Sequence, residues 1–139
     1  MNPIIRNILA VIAGWIIGSI VNMGLVQAGH AVYPIPGVEP DDIDGLVEVM
    51  STLDFRYFIF PFFAHALGTL TGAFVAAAIA TRYKMRFALV IGLVFFFGGL
   101  YVNALIPGPI WFTIADLLLA YIPMAWIGGR MVKKRVAGK

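Results

Sequence analysis

Four long apolar stretches alternate with short polar segments along the chain. These stretches are approximately residues 7–28, 57–81, 87–106 and 111–129. Each is close to the ~20 residues with which an α-helix crosses the hydrocarbon core of a bilayer. The pattern therefore predicts an all-α, integral membrane four-helix bundle that forms a single transmembrane domain over residues 1–139.

Composition also favours a membrane protein. Hydrophobic residues make up 61% of the chain and charged residues 12%, and the mean hydropathy is +0.93. A soluble domain of this length leaves a large share of its surface in water, and this chain has too few polar residues to cover it. The lipid bilayer is therefore predicted as its main partner. The chain has no cysteine, which excludes a disulfide framework, a thiolate nucleophile and a cysteine metal site.

The charges predict the direction of each span. Nine of the ten basic residues lie before the first span, between the second and third, or after the fourth: Arg6, Arg82, Lys84, Arg86, Arg130, Lys133, Lys134, Arg135 and Lys139. The positive-inside rule then places both termini and the middle loop in the cytoplasm. Six of the seven acidic residues lie in the loop of residues 29–56, which is then external: Glu39, Asp41, Asp42, Asp44, Glu48 and Asp54. The basic residues are thus topology signals, and no nucleic-acid partner is expected.

The external loop contains a further helical pattern. Residues 41–53 place five apolar side chains on one face at helical spacing: Ile43, Leu46, Val47, Met50 and Leu53. Asp41 and Asp42 suit the start of a helix, through capping and the helix dipole. A short amphipathic helix is predicted here. Two roles fit it equally well, a lid over the bundle or an anchor in the membrane interface.

Small residues repeat at helical spacing in every span and predict its packing face. The four stripes are Gly14, Gly18 and Asn22; Ala64, Gly68, Gly72, Ala76 and Ala80; Gly92, Gly99 and Asn103; and Asp116, Ala120, Met124 and Gly128. Lipid gives no hydrophobic drive between helices, so close backbone approach at small residues holds them together. The stripes are therefore expected to face the interior of the bundle.

Polar side chains collect at one depth of the predicted bundle. Four lie on or beside the stripes: Asn22, His65, Asn103 and Asp116. Three more fall at the outer rim: Gln27, His30 and Tyr101. Counting along the spans puts His65 about 12 Å and Asp116 about 8 Å below the outer boundary. The polar side chains are therefore expected in the outer half, beneath the acidic loop.

Asp116 is the one carboxylate inside a predicted span, and it needs a partner there. An unpaired carboxylate at this depth costs about 3 kcal/mol on insertion scales, so such a group usually faces the bundle. His65 is the only titratable side chain at a similar depth. An Asp116–His65 contact, supported by Asn22 and Asn103, is therefore the candidate substrate- or ion-binding site. The alternative is a set of structural hydrogen bonds, worth ~0.6–2 kcal/mol each, that only hold the helices together.

Three functions remain open. The leading hypothesis is a small transporter or channel that uses a protonatable polar site in the outer half of the bundle. The alternative is an accessory or assembly subunit that binds a larger membrane partner, with a purely structural polar cluster. A metal- or haem-binding membrane protein or an enzyme comes third. His30, His65 and Asp116 have suitable ligand types, but no ligand spacing or catalytic motif assigns a metal, a cofactor or a catalytic residue.

A family resemblance is carried by three segments, VIAGWIIGSIVNMGLVQAGH, FPFFAHALGTLTGAFVAA and DLLLAYIPMAWIGGRM. The chain resembles small four-span bacterial membrane proteins of uncharacterised function over almost its whole length. The resemblance implies a multi-pass protein of the bacterial inner (cytoplasmic) membrane and implies no activity. A homo-oligomer or a larger membrane complex is also expected, because the small-residue faces exceed what four helices alone need.

Overall fold

The computed structural model describes residues 1–137 and contains only helices as regular structure over that range; Lys139, part of the predicted basic segment, lies outside it. The elements are α1 (Pro3–Val32), α2 (Ile43–Met50), a 3-10 helix (Phe55–Phe58), α3 (Ile59–Ile79), α4 (Lys84–Leu105), α5 (Ile110–Leu119) and α6 (Ile122–Ala137). Four helical segments are long and apolar enough to cross a membrane: Pro3–Val32, Phe55–Ile79, Lys84–Leu105 and Ile110–Val132. The predicted all-α chain with four candidate spans is confirmed.

α1 is longer at both ends than the predicted first span. The side chain of Asn2 accepts a hydrogen bond of 2.8 Å from the backbone N–H of Ile4. Pro3 occupies the first turn, where its missing N–H has no helical partner to lose. At the other end α1 runs to Val32, and Pro34 disfavours the helical conformation in the residue before it. A cap and a proline therefore set boundaries that the apolar pattern does not contain.

α1 and α3 meet through their glycine stripes at backbone contact distance. A Cβ atom built on Gly14 would lie 2.6 Å from the carbonyl oxygen of Gly72, and one on Gly72 would lie 2.6 Å from that of Gly14. One turn further along, a Cβ on Gly18 would lie 2.7 Å from the carbonyl oxygen of Gly68. Only glycine fits at these positions without moving a backbone. The packing predicted for these two stripes is confirmed.

α3 is the centre of the bundle and contacts α1, α4 and α6. Its buried face consists of small residues: Ala64, Ala66, Gly68, Thr69, Gly72, Ala73, Ala76 and Ala77. On α4, a Cβ at Gly92 would lie 2.6 Å from Cβ of Ala125, and on α6 a Cβ at Gly128 would lie 2.7 Å from the carbonyl oxygen of Leu70. Close approach at small residues thus also joins α6 to α3 and α4.

The fourth span is not the continuous helix that its apolar pattern predicts. α5 ends at Leu119 and α6 begins three residues later, with Ala120 and Tyr121 in a turn. Pro123 explains the interruption. It has no N–H to donate to the carbonyl of Leu119, and its ring clashes with that carbonyl in a straight helix. The span is therefore discontinuous near its middle.

Two cationic side chains hold the carboxyl end of α3. Nε of Arg6 donates to the carbonyl of Ile79 at 2.7 Å. Nζ of Lys84 donates to the carbonyls of Ala77 and Ala80 at 3.0 and 2.9 Å. These bonds satisfy carbonyls that have no partner inside the helix, and positive charge is favourable at this end of the helix dipole.

The two ends of the bundle differ in charge. We call one end of the bundle the termini end. α1 and α4 begin there, and α3 and α6 end there. Residues 33–58 and 106–109 connect the helices at the opposite end, which we call the loop end. The loop end carries the six acidic side chains of the first loop, and all six are exposed. Which end faces the cytoplasm stays a prediction from the charge pattern.

α2 lies at the loop end and is shorter than the predicted residues 41–53. It has eight residues, and the side chain of Asp42 caps it by accepting the N–H of Gly45 at 3.0 Å. Leu46 faces inward and is 7% exposed, whereas Glu48 is exposed. Leu46 thus faces the bundle, whereas Ile43 and Val47 of the predicted apolar face are exposed, so that face is only partly covered.

Candidate functional site

Asp116 is the centre of a hydrogen-bonded cluster between α3 and the broken fourth span. Nδ1 of His65 lies 2.8 Å from Oδ1 of Asp116. The hydroxyl of Tyr121 donates to Oδ2 at 2.8 Å. The rings of His65 and Tyr121 stack, with centroids 5.7 Å apart and planes 29° apart. The contact between Asp116 and His65 that the sequence predicts is thus present, and each carboxylate oxygen has one partner.

The three members of this cluster differ in exposure. Asp116 is 0% exposed and Tyr121 1%, while the side chain of His65 is 16% exposed. A buried carboxylate is tolerated when it is paired and its oxygens accept hydrogen bonds, and both conditions are met here. His65 is therefore the member through which the cluster meets its surroundings.

The helix break brings Tyr121 to Asp116. In a continuous helix, side chains five residues apart point about 140° away from each other, so the two groups would face different neighbours. The turn at Ala120 and Tyr121 removes that separation and puts the hydroxyl on the carboxylate. Gly99 of α4 leaves room for the ring, because a Cβ there would overlap the hydroxyl and lie 2.5 Å from Cζ of Tyr121. Pro123 and Gly99 together therefore position this tyrosine.

The contact with Asp116 distinguishes the two ring nitrogens of His65. An ionised Asp116 accepts from the Tyr121 hydroxyl and from Nδ1–H of His65, which fixes the tautomer of the ring. Nδ1 is the ring nitrogen with a hydrogen-bond partner among the described residues. Nε2 is therefore left to meet a water molecule or a ligand.

A cavity of about 420 Å³ lies at the loop end and reaches His65. Its polar lining side chains are Gln27, His30, Tyr33, Tyr57, His65 and Asn103. The rest of the lining is mostly apolar, and α2 contributes Leu46 and Met50. Asp116 does not line the cavity. The carboxylate therefore lies behind the imidazole as seen from the cavity.

The two asparagines predicted to support the pair lie apart from it. Oδ1 of Asn103 accepts from Oγ1 of Thr113 at 2.9 Å, and its Nδ2 donates to a backbone carbonyl one turn earlier at 2.9 Å. Asn103 is close to the end of α4, where the start of α5 is its nearest polar neighbour. Oδ1 of Asn22 is buried with no hydrogen-bond partner among the described residues. The predicted support is therefore corrected, since Tyr121 bonds Asp116 and the asparagines do not.

Two of the three predicted rim residues, Gln27 and His30, line the cavity. Tyr101 does not line it and is 66% exposed. It lies two residues before Asn103, which places it about 200° around α4 from that side chain. Tyr101 is therefore near the loop end of α4 but on the side of the helix that is turned away from the cavity.

The site predicted from the sequence did not include Tyr121 or Thr69. Thr69 follows His65 by one helical turn, is 0% exposed, and its Oγ1 has no partner among the described residues. Its spacing of four from His65 was a signal available in the sequence. Tyr121 had a weaker signal, because only Pro123 indicates that the helix turns there.

The metal site considered from the sequence is not assembled. Within residues 1–137, no three His, Cys, Asp or Glu side chains are grouped so that they could hold a metal ion. His30 and His65 both line the cavity, but no third such side chain completes a site with them.

Comparison with known proteins gives no assignment. No protein-family model, no curated protein and no solved structure matches the chain. The resemblance to small four-span bacterial membrane proteins therefore stays an expectation from the sequence, and functional conclusions rest on the site itself.

Proposed function

We propose that this is an integral membrane transporter that admits a small solute through the loop-end cavity and couples its passage to proton exchange at His65 and Asp116. The position of His65 carries the proposal. Its ring lines the cavity, while its Nδ1 is bonded to a carboxylate that has no exposure. Inside a membrane bundle, an ionisable group that faces a cavity is typical of a substrate pathway or a proton relay.

The packing of the termini half favours a carrier over an open channel. His65 is the member of the cavity lining that lies furthest along α3 toward the termini end. Beyond it, Thr69, Ala73 and Ala76 are all 0% exposed, and the glycines of α1 and α3 are in backbone contact. In an alternating-access carrier, each of the two main conformations is open on one side of the membrane and closed on the other. A cavity that opens at the loop end and closes beyond His65 fits one such conformation.

The broken fourth span supplies a place where a conformational change can be accommodated. Discontinuous membrane helices form the substrate sites of several transporter folds, and a few residues at an element end can absorb a hinge motion. Here the turn contains Tyr121, which is hydrogen-bonded to Asp116. A change of protonation in the cluster would therefore act directly on the turn.

α2 supports the lid role in this proposal. Leu46 and Met50 line the cavity, and the nearest atoms to a Cβ built on Gly108 include Cγ of Met50 at 3.9 Å. α2 thus reaches from the first loop to the connection between α4 and α5. A helix that only anchored in the interface would have no need to line the cavity.

Asp116→Asn tests the proposal. Purified protein is reconstituted in vesicles that contain a pH-sensitive dye, a pH gradient is imposed, and a panel of small cationic, neutral and anionic aromatic solutes is added. We expect the wild-type protein to move protons when a transported solute is present, and Asp116→Asn and His65→Gln to lose this movement. Tyr101→Phe changes an exposed side chain away from the cavity and is expected to match the wild type.

The accessory-subunit alternative gives a different result in the same experiment. Asn keeps the shape of Asp116 and an acceptor oxygen, so a structural cluster would leave Asp116→Asn nearly silent. Asp116→Leu would then lower the free energy of unfolding by about 1–3 kcal/mol, because it leaves the buried donors of His65 and Tyr121 unpaired. Wild-type vesicles that move no protons with any solute of the panel would reject the transport proposal.

A further inference from the structure

We infer that the loop-end cavity takes a bulky lipophilic cation, a positively charged group surrounded by aromatic or aliphatic substituents. The inference rests on the proposed function and deepens it by naming the class of solute. Three features of the cavity carry it, namely the aromatic rings in its walls, the sign of the charge around its mouth, and its volume.

Aromatic rings form two groups in the cavity wall. Tyr33 stands edge-to-face with Tyr57 and with Phe60, at centroid distances of 6.3 and 6.1 Å. Phe58 and Phe112 form the second group, with centroids 4.7 Å apart. All five rings line the cavity. The guanidinium of Arg56 already lies over the Tyr57 ring, 5.1 Å from its centroid, so the other four rings are the ones open to a ligand. A cation within ~6 Å of a ring centroid is attracted by the negative face of the ring, most strongly when it is removed from water.

The charges around the cavity also select a cation. No Lys or Arg side chain of the described chain lines the cavity. Pro40, which lines it, stands between Glu39 and Asp41, and both of these side chains are exposed. Residues 33–58 carry six acidic residues against one basic residue. A field of this sign raises the local concentration of cations and lowers that of anions within a Debye length of about 8–10 Å.

The volume and the apolar lining decide what kind of cation fits. The cavity of about 420 Å³ falls in the ~300–1,000 Å³ range of pockets for drug-sized molecules. Apart from the rings, much of the wall is aliphatic, with Val26, Leu46 and Val102 among its members. No carboxylate lines it, whereas small metal cations require several oxygen ligands. Such a wall can replace the water around a cation only when apolar substituents shield its charge. A bulky lipophilic cation meets this condition.

Equilibrium binding to the purified full-length protein in detergent tests the inference. The probe is tetraphenylphosphonium, and tetraphenylborate serves as a ligand of the same shape and opposite charge. Protein-free micelles correct both for partition into detergent. We expect saturable binding of the phosphonium ion at least about tenfold tighter than that of the borate ion, a difference of about 1.4 kcal/mol.

Phe60→Leu isolates the contribution of an aromatic face, because leucine keeps an apolar side chain and removes the ring. We expect it to weaken phosphonium binding about fivefold. Phe63→Leu is the matched control. Phe63 is on the same helix and is 50% exposed, and it does not line the cavity, so phosphonium binding should be unchanged.

Equal or tighter binding of tetraphenylborate would overturn the inference, as would an unchanged phosphonium affinity in Phe60→Leu. Binding of neutral tetraphenylsilane as tight as that of the cation would assign a neutral lipophile instead. Failures of the inference and of the transport proposal are distinguishable. Phosphonium binding without proton movement in vesicles would reject the transport proposal and keep the cation inference. Proton movement with only neutral or anionic solutes would reject the cation inference and keep the transport proposal.

Discussion

Gly99→Ala should displace Tyr121 and disconnect it from Asp116. The new Cβ would lie 2.5 Å from Cζ of Tyr121, whereas ordinary contact begins at about 3.4 Å, so the ring must move by about 0.9 Å. The hydrogen bond from Tyr121 to Asp116 is 2.8 Å long. It cannot shorten by that amount without a clash, and lengthening by that amount breaks it. A single methyl group on α4 is therefore expected to break the hydrogen bond between Tyr121 and Asp116 while all three side chains of the cluster stay chemically unchanged.

The expected loss of stability has two parts and one offset. The interhelical hydrogen bond contributes about 0.6–1.7 kcal/mol in a membrane protein. Overpacking a closely packed site costs about 1–3 kcal/mol. Alanine gains up to about 1 kcal/mol over glycine in a helix interior. We therefore expect Gly99→Ala to lower the free energy of unfolding by roughly 1–4 kcal/mol.

Gly98→Ala is the matched control, because a Cβ at Gly98 meets nothing within 4 Å. It keeps the gain in helix propensity and has no overlap, so its stability should equal or exceed that of the wild type. The assay is reversible unfolding in mixed micelles, followed by circular dichroism. Tyr121→Phe completes a double-mutant cycle, in which removal of the hydroxyl should cost less in the Gly99→Ala background. Equal stability of Gly99→Ala and Gly98→Ala would refute the reasoning.

Two further predictions concern the fold. Gly72→Ala places a Cβ 2.6 Å from the carbonyl oxygen of Gly14, so it should separate α1 from α3 and lower the free energy of unfolding by about 1–3 kcal/mol; Gly24→Ala, with nothing within 4 Å, should not, and equal effects would contradict the close packing. The absence of native cysteine allows direct labelling of single cysteines in intact cells. Cysteine in place of Glu48 should react with an impermeant maleimide from outside and cysteine in place of Arg82 only after lysis, and the reverse pattern would invert the predicted topology.

The sequence predicts the packing faces well because small residues encode them directly. A stripe such as Gly14 and Gly18 has few uses other than close helix approach, and the structure places Gly68 and Gly72 against it. The break in the fourth span was not predicted, because the hydropathy pattern carries no information on backbone hydrogen bonds that a proline removes. Pro123 was visible in the sequence, but prolines in membrane helices do not always interrupt them.

The contact between Asp116 and His65 was predictable from the sequence. The two ionisable side chains have similar predicted depths, and both lie on or beside small-residue stripes that turn toward the bundle interior. Depth does not decide between Asn103 and Tyr121 as the second partner, because that depends on helix rotation and on the turn before Pro123. The cavity could not be predicted either, because its walls come from the 3-10 helix, α2 and the ends of all four spans.

The length of α1 has a consequence for how ligand affinity must be expressed. Its 30 residues extend about 45 Å, against a hydrocarbon core of about 30 Å, so a helix with little tilt projects from the core by about 15 Å in total. The part of α1 nearest the loop end, from Met23 onward, lines the cavity, and any projection at that end brings the cavity mouth to the headgroup layer. The mouth is then supplied from the interfacial layer, in which amphipathic molecules are already concentrated. An apparent dissociation constant measured against aqueous concentration should therefore change with the ratio of lipid to protein, and a constant expressed as mole fraction in the lipid should not.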